Sequence, residues 1–207
     1  MLYNKPTIYN TPTIYNTGAG GGKLEFFSEQ IKGNKYPCAK IKDIIFTCQN
    51  LYEDFTGISN SYSSSNPCGF FKSDNKIFGK YFNYLSVSLI DDWLQNNTNG
   101  WRVAKKTDYE KLLSFDCGNL KSPISWNDVN NDLYVKTGFS AIASGFYNRS
   151  DQFLAIGTEC YLLTSTQEDG KYYYAFILSN NEEKIRISNS YGTLDNCWPI
   201  RLCKDAV

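Results

Sequence analysis

Histidine is absent from the 207 residues. Its absence removes Ser-His-Asp and Cys-His activation of a nucleophile. It also removes histidine-bearing zinc sites and the usual proton shuttle near neutral pH. Neither charge sign is in excess, with Lys+Arg and Asp+Glu at 21 each. A nucleic-acid binder usually carries a basic surplus to offset phosphates, so no nucleic-acid partner is expected. The local cluster Arg102, Lys105, Lys106 and Lys111 reads as a solvated face. No apolar run approaches the roughly 20 residues of a transmembrane helix, and no polybasic stretch suggests membrane attachment, so no membrane insertion is expected. The seven cysteines include no C-x-x-C, which argues against a zinc ribbon. A charged region followed by an apolar stretch is missing at the N-terminus, so no signal peptide is expected. The thiols should then start in a reducing cytosol and serve as small buried hydrophobes, with late disulfides after release from a cell left open. No cofactor and no enzymatic activity are expected.

What the chain does have is a core-forming composition. Hydrophobic residues make up 42% and aromatics 16%, with 16 Tyr and 13 Phe. That is enough for one globular domain and argues against wholesale disorder. The first segment differs from the rest. Pro6-Thr7-Ile8-Tyr9-Asn10-Thr11 is repeated as Pro12-Thr13-Ile14-Tyr15-Asn16-Thr17 and runs into Gly18-Ala19-Gly20-Gly21-Gly22. Proline-spaced copies favour extended backbone, and the glycines make a joint. The Ile-Tyr pairs give a bare linker no benefit. Residues 1–22 are therefore expected to form a docking arm with a hinge, and residues 23–207 a domain. Pro6, Ile8, Tyr9, Pro12, Ile14 and Tyr15 would be the anchor, lying extended against another protein.

Within the domain, Ile41 to Leu51 reads as a strand and the Ser/Asn/Gly-rich stretch from Gly57 to Gly69 as a loop. Apolar positions at 78, 81, 82, 85, 89 and 93 suggest a helix from Phe78 to Leu94. A second helix is signalled by a capping box, Thr107 with Glu110, ending by Cys117-Gly118. From Gly138 onward the chain reads as short strands: Phe139 to Gly145, Tyr161 to Ser165, Tyr172 to Leu178, Lys184 to Ser188 and Ile200 to Cys203. Helices early and strands late make an α+β pattern.

Several ordered strings resemble the Fibrobacter succinogenes major paralogous domain family. They are Ile41 to Leu51, Phe78 to Tyr84, Gly100-Trp101-Arg102-Val103 with Thr107 to Leu112, Gly138 to Tyr147, Ile156-Gly157-Thr158 with Leu163 to Thr166, and Ile200 to Asp205. Two departures stand out. Arg102 and Ala104 replace the family's His and Pro, and Leu162-Leu163 replaces its Trp pair. The resemblance implies a C-type-lectin-like fold, two helices beside a small twisted antiparallel sheet, typically displayed for binding and without catalysis. The arm resembles the start of virion proteins of crAss-like and other Bacteroides-type tailed phages.

Together these imply a virion structural protein, a head fibre or capsid-decorating protein at the virion surface. Its partners would be capsid or other virion proteins and further copies of itself, as a dimer or trimer. The alternative is an adhesin of a phage tail or bacterial surface that binds a host-surface glycan or protein. Trp126-Asn127-Asp128 spells a tripeptide of calcium-dependent lectins, and Asn and Asp oxygens suit a hard cation. No Glu-Pro-Asn or Gln-Pro-Asp triplet accompanies it, and it precedes the strands where such lectins place it. These three residues and Tyr173, in an alternating Tyr run, are the candidate ligand-facing surface. Asp91-Asp92 and Glu182-Glu183 are carboxylate pairs, but adjacent residues point different ways and should not converge for acid–base work.

Overall fold

A computed structural model describes residues 25–72, 76–122, 125–127, 137–168, 172–182, 184–189 and 195–206. The anchor residues Pro6, Ile8, Tyr9, Pro12, Ile14 and Tyr15, and also Asp128, lie outside these. Two hairpins open the domain. Strand β1 (Glu25–Ile31) pairs antiparallel with β2 (Asn34–Ile41), and β2 pairs with β3 (Ile44–Thr47). Lys32 (φ 50°) and Gly33 (φ 85°) make the first turn, the left-handed geometry that a two-residue hairpin requires.

A ribbon follows, β4 (Gly69–Phe71) with β5 (Lys80–Phe82), and then helix α1 (Tyr84–Asn97). After α1 come β6 (Arg102–Val103), the short helices α2 (Lys106–Glu110) and α3 (Cys117–Leu120), and a second ribbon, β7 (Phe146–Asn148) with β8 (Gln152–Leu154). The chain closes with β9 (Glu159–Glu168), β10 (Tyr172–Ser179), β11 (Arg186–Ser188) and β12 (Leu202–Asp205). The sheets are five-stranded (β1-β2-β3-β12-β6), three-stranded (β11-β10-β9) and the two ribbons.

This architecture corrects the expected α+β, C-type-lectin-like arrangement of two helices beside one small sheet. Strand and bridge account for 41% of the described residues and helix for 19%, spread over four separate antiparallel sheets. α1 has 14 residues, but the second expected helix is a five-residue turn of helix that tightens into a 3-10 turn at Lys111–Ser114. Its carboxylate cap is Asp108, whose Oδ2 accepts from the Lys105 backbone N–H at 2.8 Å. The box therefore starts two residues before Thr107. α1 also begins later than its apolar spacing suggests. Phe78 is in a 3-10 turn, Gly79 takes φ +73°, and Tyr81 and Phe82 belong to β5.

The larger sheets are buried on both faces. In β10, Tyr173, Ala175 and Ile177 join one apolar cluster with α1, while Phe176 and Leu178 join another with Tyr109 and Phe139. β9 does the same with Tyr161 and Leu163 against Cys160 and Leu162. Period-two alternation between two dry faces explains why these strands read as continuous apolar runs. Each large side chain so buried contributes about 1.5–3 kcal/mol.

The C-terminal segment joins all four sheets. Cys197 bridges Tyr147, Trp198 bridges Phe82 and Ile200 bridges Leu163, while β12 lies between β3 and β6. Within it Arg201 is fully buried and meets neutral acceptors. It donates to Thr47 O (2.8 Å), to Phe139 O (2.5 Å) and twice to Asn50 Oδ1 (3.1 and 3.0 Å). Its guanidinium carbon lies 4.7 Å from the Phe139 ring centroid. Burial lowers its pKa from the ordinary arginine value.

Candidate functional site

Where the two ribbons meet, six aromatic rings interlock. Tyr81 and Tyr147 are buried; Tyr62, Phe70, Phe78 and Phe153 are half-buried around them, and Cys68 and Cys197 lie beneath. Phe70 is central. Its ring lies 4.9 Å from Tyr147 and 6.3 to 6.4 Å from Tyr62, Tyr81 and Phe153, at angles from stacked to edge-on. Phe153 reaches Tyr81 at 5.0 Å and Tyr147 at 4.9 Å. Offset and edge-on pairs suit the ring quadrupoles.

The local sequence explains the packing. Two-stranded ribbons cannot enclose a core of their own, so adjacent apolar residues such as Phe70-Phe71 and Phe153-Leu154 leave apolar surface partly open. Gly69 permits the close approach, since a Cβ there would stand 2.3 Å from the Phe82 ring. Gly145, at φ +59°, would bring a Cβ to 1.9 Å from Leu154 O.

Polar groups fix the rings. Tyr62 OH donates to Asp195 O (2.8 Å), Tyr147 OH to Asp151 Oδ1 (2.8 Å) and Tyr81 OH to Ser144 O (2.6 Å). Burial, and then the hydrogen bond to Asp151, push the Tyr147 pKa up to about 12, so it stays a neutral donor. Burial raises Tyr62 and Tyr81 as well. The rim is polar: Asn148 is half-exposed, Arg149 and Asp151 are exposed, and Arg149 Nη1 is 4.0 Å from Asp195 Oδ2. Lys72 Nζ lies 5.5 Å from the Phe153 ring centroid and 5.9 Å from that of Phe78. Partly open rings bounded by hydrogen-bonding groups suit stacking and apolar contact with a partner.

Beside this face, Lys80 is 2% exposed and holds the preceding loop. Its ammonium pairs with Asp54 and donates to Asn60 Oδ1 (2.6 Å) and Gly69 O (3.3 Å). Among the described residues, no group of three or more His, Cys, Asp or Glu side chains is placed to hold a metal.

The residues singled out from sequence do not come together here. Trp126 is half-buried, its indole N–H donating to Ala141 O at 2.9 Å, with Lys121 Nζ 4.5 Å from the ring centroid. Asn127 is exposed, its backbone N–H donating to Gly157 O at 2.7 Å. The pair anchors a loop. Tyr173 is only 6% exposed and packs in the α1 cluster, its hydroxyl accepting from Gln167 Nε2. Its assignment to a ligand-facing surface is therefore corrected: Tyr173 faces the core, and its half-exposed neighbour Tyr174 is on the other side. Asp91 Oδ1 accepts from Val103 N at 2.6 Å while Asp92 is exposed, so the pair diverges. Glu182 pairs with Arg186 at 2.8 Å, and Glu183 lies outside the described residues.

The aromatic face was missed because its members come from separate short segments. The available signal was the adjacent-aromatic pairs flanking the Ser/Asn/Gly stretches near 57–69 and 148–151. No helix among the described residues is long and apolar enough to cross a membrane. Comparison with known proteins gives no match: no family model, no curated protein and no solved structure matches the chain.

Proposed function

We propose that the chain is a non-enzymatic structural protein of a phage particle, a head fibre or capsid-decorating protein that anchors through its N-terminal arm and displays the domain outward. The observation that carries this reading is the proline-spaced tandem repeat, with Ile8, Tyr9, Ile14 and Tyr15, joined through Gly18 to Gly22 to the start of β1. An extended peptide with alternate apolar anchors fits strand addition or a groove on a partner. One short arm holds weakly, and a dimer or trimer gains avidity by presenting several. The test is assembly onto particles that lack the protein. Wild-type chain should co-sediment with them, and a chain with Ile8, Tyr9, Ile14 and Tyr15 all replaced by Ser should not.

A second reading, an adhesin for a host-surface glycan or protein, is favoured by the half-open aromatic face of Tyr62, Phe70, Phe78 and Phe153. Aromatic surface with a polar rim is a common recognition composition. Under this reading the chain is retained by a glycan or host-cell surface, and Tyr62→Ala with Phe153→Ala abolishes retention. Retention unchanged in that variant, with the fold intact, removes the aromatic face from the account.

A further inference from the structure

Cys68 and Cys197 come from segments 129 residues apart, yet their sulfur atoms stand 3.8 Å from each other, both fully buried under the aromatic face. All seven cysteines are free thiols, and among the described residues this is the one sulfur–sulfur contact. The backbone on both sides is held. Cys68 N donates to Asn83 Oδ1 at 3.2 Å, and its residue bridges Ser59. Cys197 exchanges backbone hydrogen bonds with Tyr147 at 2.9 and 2.8 Å.

We propose that Cys68 and Cys197 are a built-in redox pair, which a peroxide converts to a disulfide that staples the loop ending at Cys68 to the C-terminal segment. A disulfide needs sulfurs at about 2.05 Å, so the pair must close from its 3.8 Å contact. The thiols are also polarised in one direction. The Cys68 S–H points to Ser63 O at 3.4 Å, leaving its sulfur to accept from Cys197. That hydrogen bond favours the thiolate at Cys68 and disfavours it at Cys197. Burial raises the other five thiols, Cys48 and Cys160 to about 12. Cys68 is thus the attacking sulfur, since the thiolate is the nucleophile.

The chemistry balances with hydrogen peroxide as oxidant. The Cys68 thiolate attacks one peroxide oxygen, the O–O bond breaks and water leaves after protonation, giving a sulfenic acid. The Cys197 sulfur then attacks the Cys68 sulfur. The S–O bond breaks, and the departing hydroxide takes the Cys197 proton and leaves as a second water. Two thiols are oxidised and one peroxide is reduced.

The test treats the reduced full-length chain with hydrogen peroxide, alkylates remaining thiols after denaturation, and maps peptides without reduction. The expected result is one linked peptide pair carrying Cys68 and Cys197, with the other five cysteines alkylated. Tm rises by about 10 °C, as expected for so long a closed loop, and falls back with a phosphine reductant. In Cys197→Ser, oxidation stops at Cys68 and the sulfenic acid is trapped by dimedone; in Cys68→Ser no sulfenic acid forms at Cys197. Both cysteines remaining alkylatable in the oxidised wild-type chain, linkage of another pair first, or an unchanged Tm after linkage would overturn the proposal.

Discussion

Replacing Arg201 by Met should remove one of the main ties between the C-terminal segment and the rest of the fold. Arg201 is 0% exposed and supplies donors to Thr47 O, Phe139 O and Asn50 Oδ1. Methionine fills much of the volume but donates nothing. Each buried acceptor that loses its donor costs about 1–3 kcal/mol. Relief of the guanidinium's own burial penalty offsets part of that sum, leaving a net loss of about 3 kcal/mol. For a chain of this size about 2–4 °C accompanies each kcal/mol, so Tm should fall by about 6–12 °C. Arg201→Lys keeps a charge but concentrates it in one ammonium, which cannot serve carbonyls on both sides of a planar fork. It should lie between wild type and Arg201→Met. Thermal unfolding followed by circular dichroism reads all three. A Tm loss under about 2 °C for Arg201→Met would refute the reasoning and show that these acceptors find donors elsewhere.

Gly145→Ala places a Cβ 1.9 Å from Leu154 O on left-handed backbone, and should cost about 3 kcal/mol or prevent folding. Gly33→Ala, also left-handed but with nothing within 4 Å, should cost only about 1 kcal/mol by the same denaturation assay. Asp54 is held below the ordinary carboxylate pKa by Lys80, so its contribution is present at neutral pH and lost as pH falls through the lowered value. The Asp54 side chain is 72% exposed, which keeps that contribution under about 1 kcal/mol. Asp54→Asn should remove it at neutral pH and make the acid limb shallower. Asp91 has the opposite sign. Burial raises its pKa, so ionisation works against the fold as pH rises through that value. Asp91→Asn, which keeps an acceptor for Val103 N, should raise the urea midpoint at neutral pH and lose that advantage at about pH 3.

Strand positions after residue 158 were legible because β9 and β10 are apolar runs bounded by turn residues; β11 lies inside an expected strand, β12 overlaps its expected strand only at Leu202 and Cys203, and the short β8 (Gln152–Leu154) was not expected. The helix α1 was legible in existence but not in phase. Of the apolar stripe, Tyr81 and Phe82 belong to a ribbon and Phe78 to the 3-10 turn before it. The residues buried in the helix are Ser86, Val87, Ile90 and Leu94, while Leu89, assigned to the stripe, is 37% exposed. Phe139 to Gly145 was expected as a strand, yet Gly138, Ser140 and Gly145 have positive φ, and only isolated bridges at Ala141 and Gly145 form. Local sequence does not reveal such left-handed breaks at a residue like Ser140. Arg201 reads as an ordinary charge, since its acceptors come from residues far away in the chain. The dithiol and the aromatic face share that cause: each is assembled by pairings over long sequence separations.

Docking through the arm is tested most directly by mixing particles that lack this protein with equal amounts of wild-type chain and a chain beginning at Lys23, then sedimenting both. The wild-type chain should be in the particle fraction and the shortened chain in the supernatant, with matching circular dichroism spectra. Equal attachment of both chains, or of neither, would contradict it.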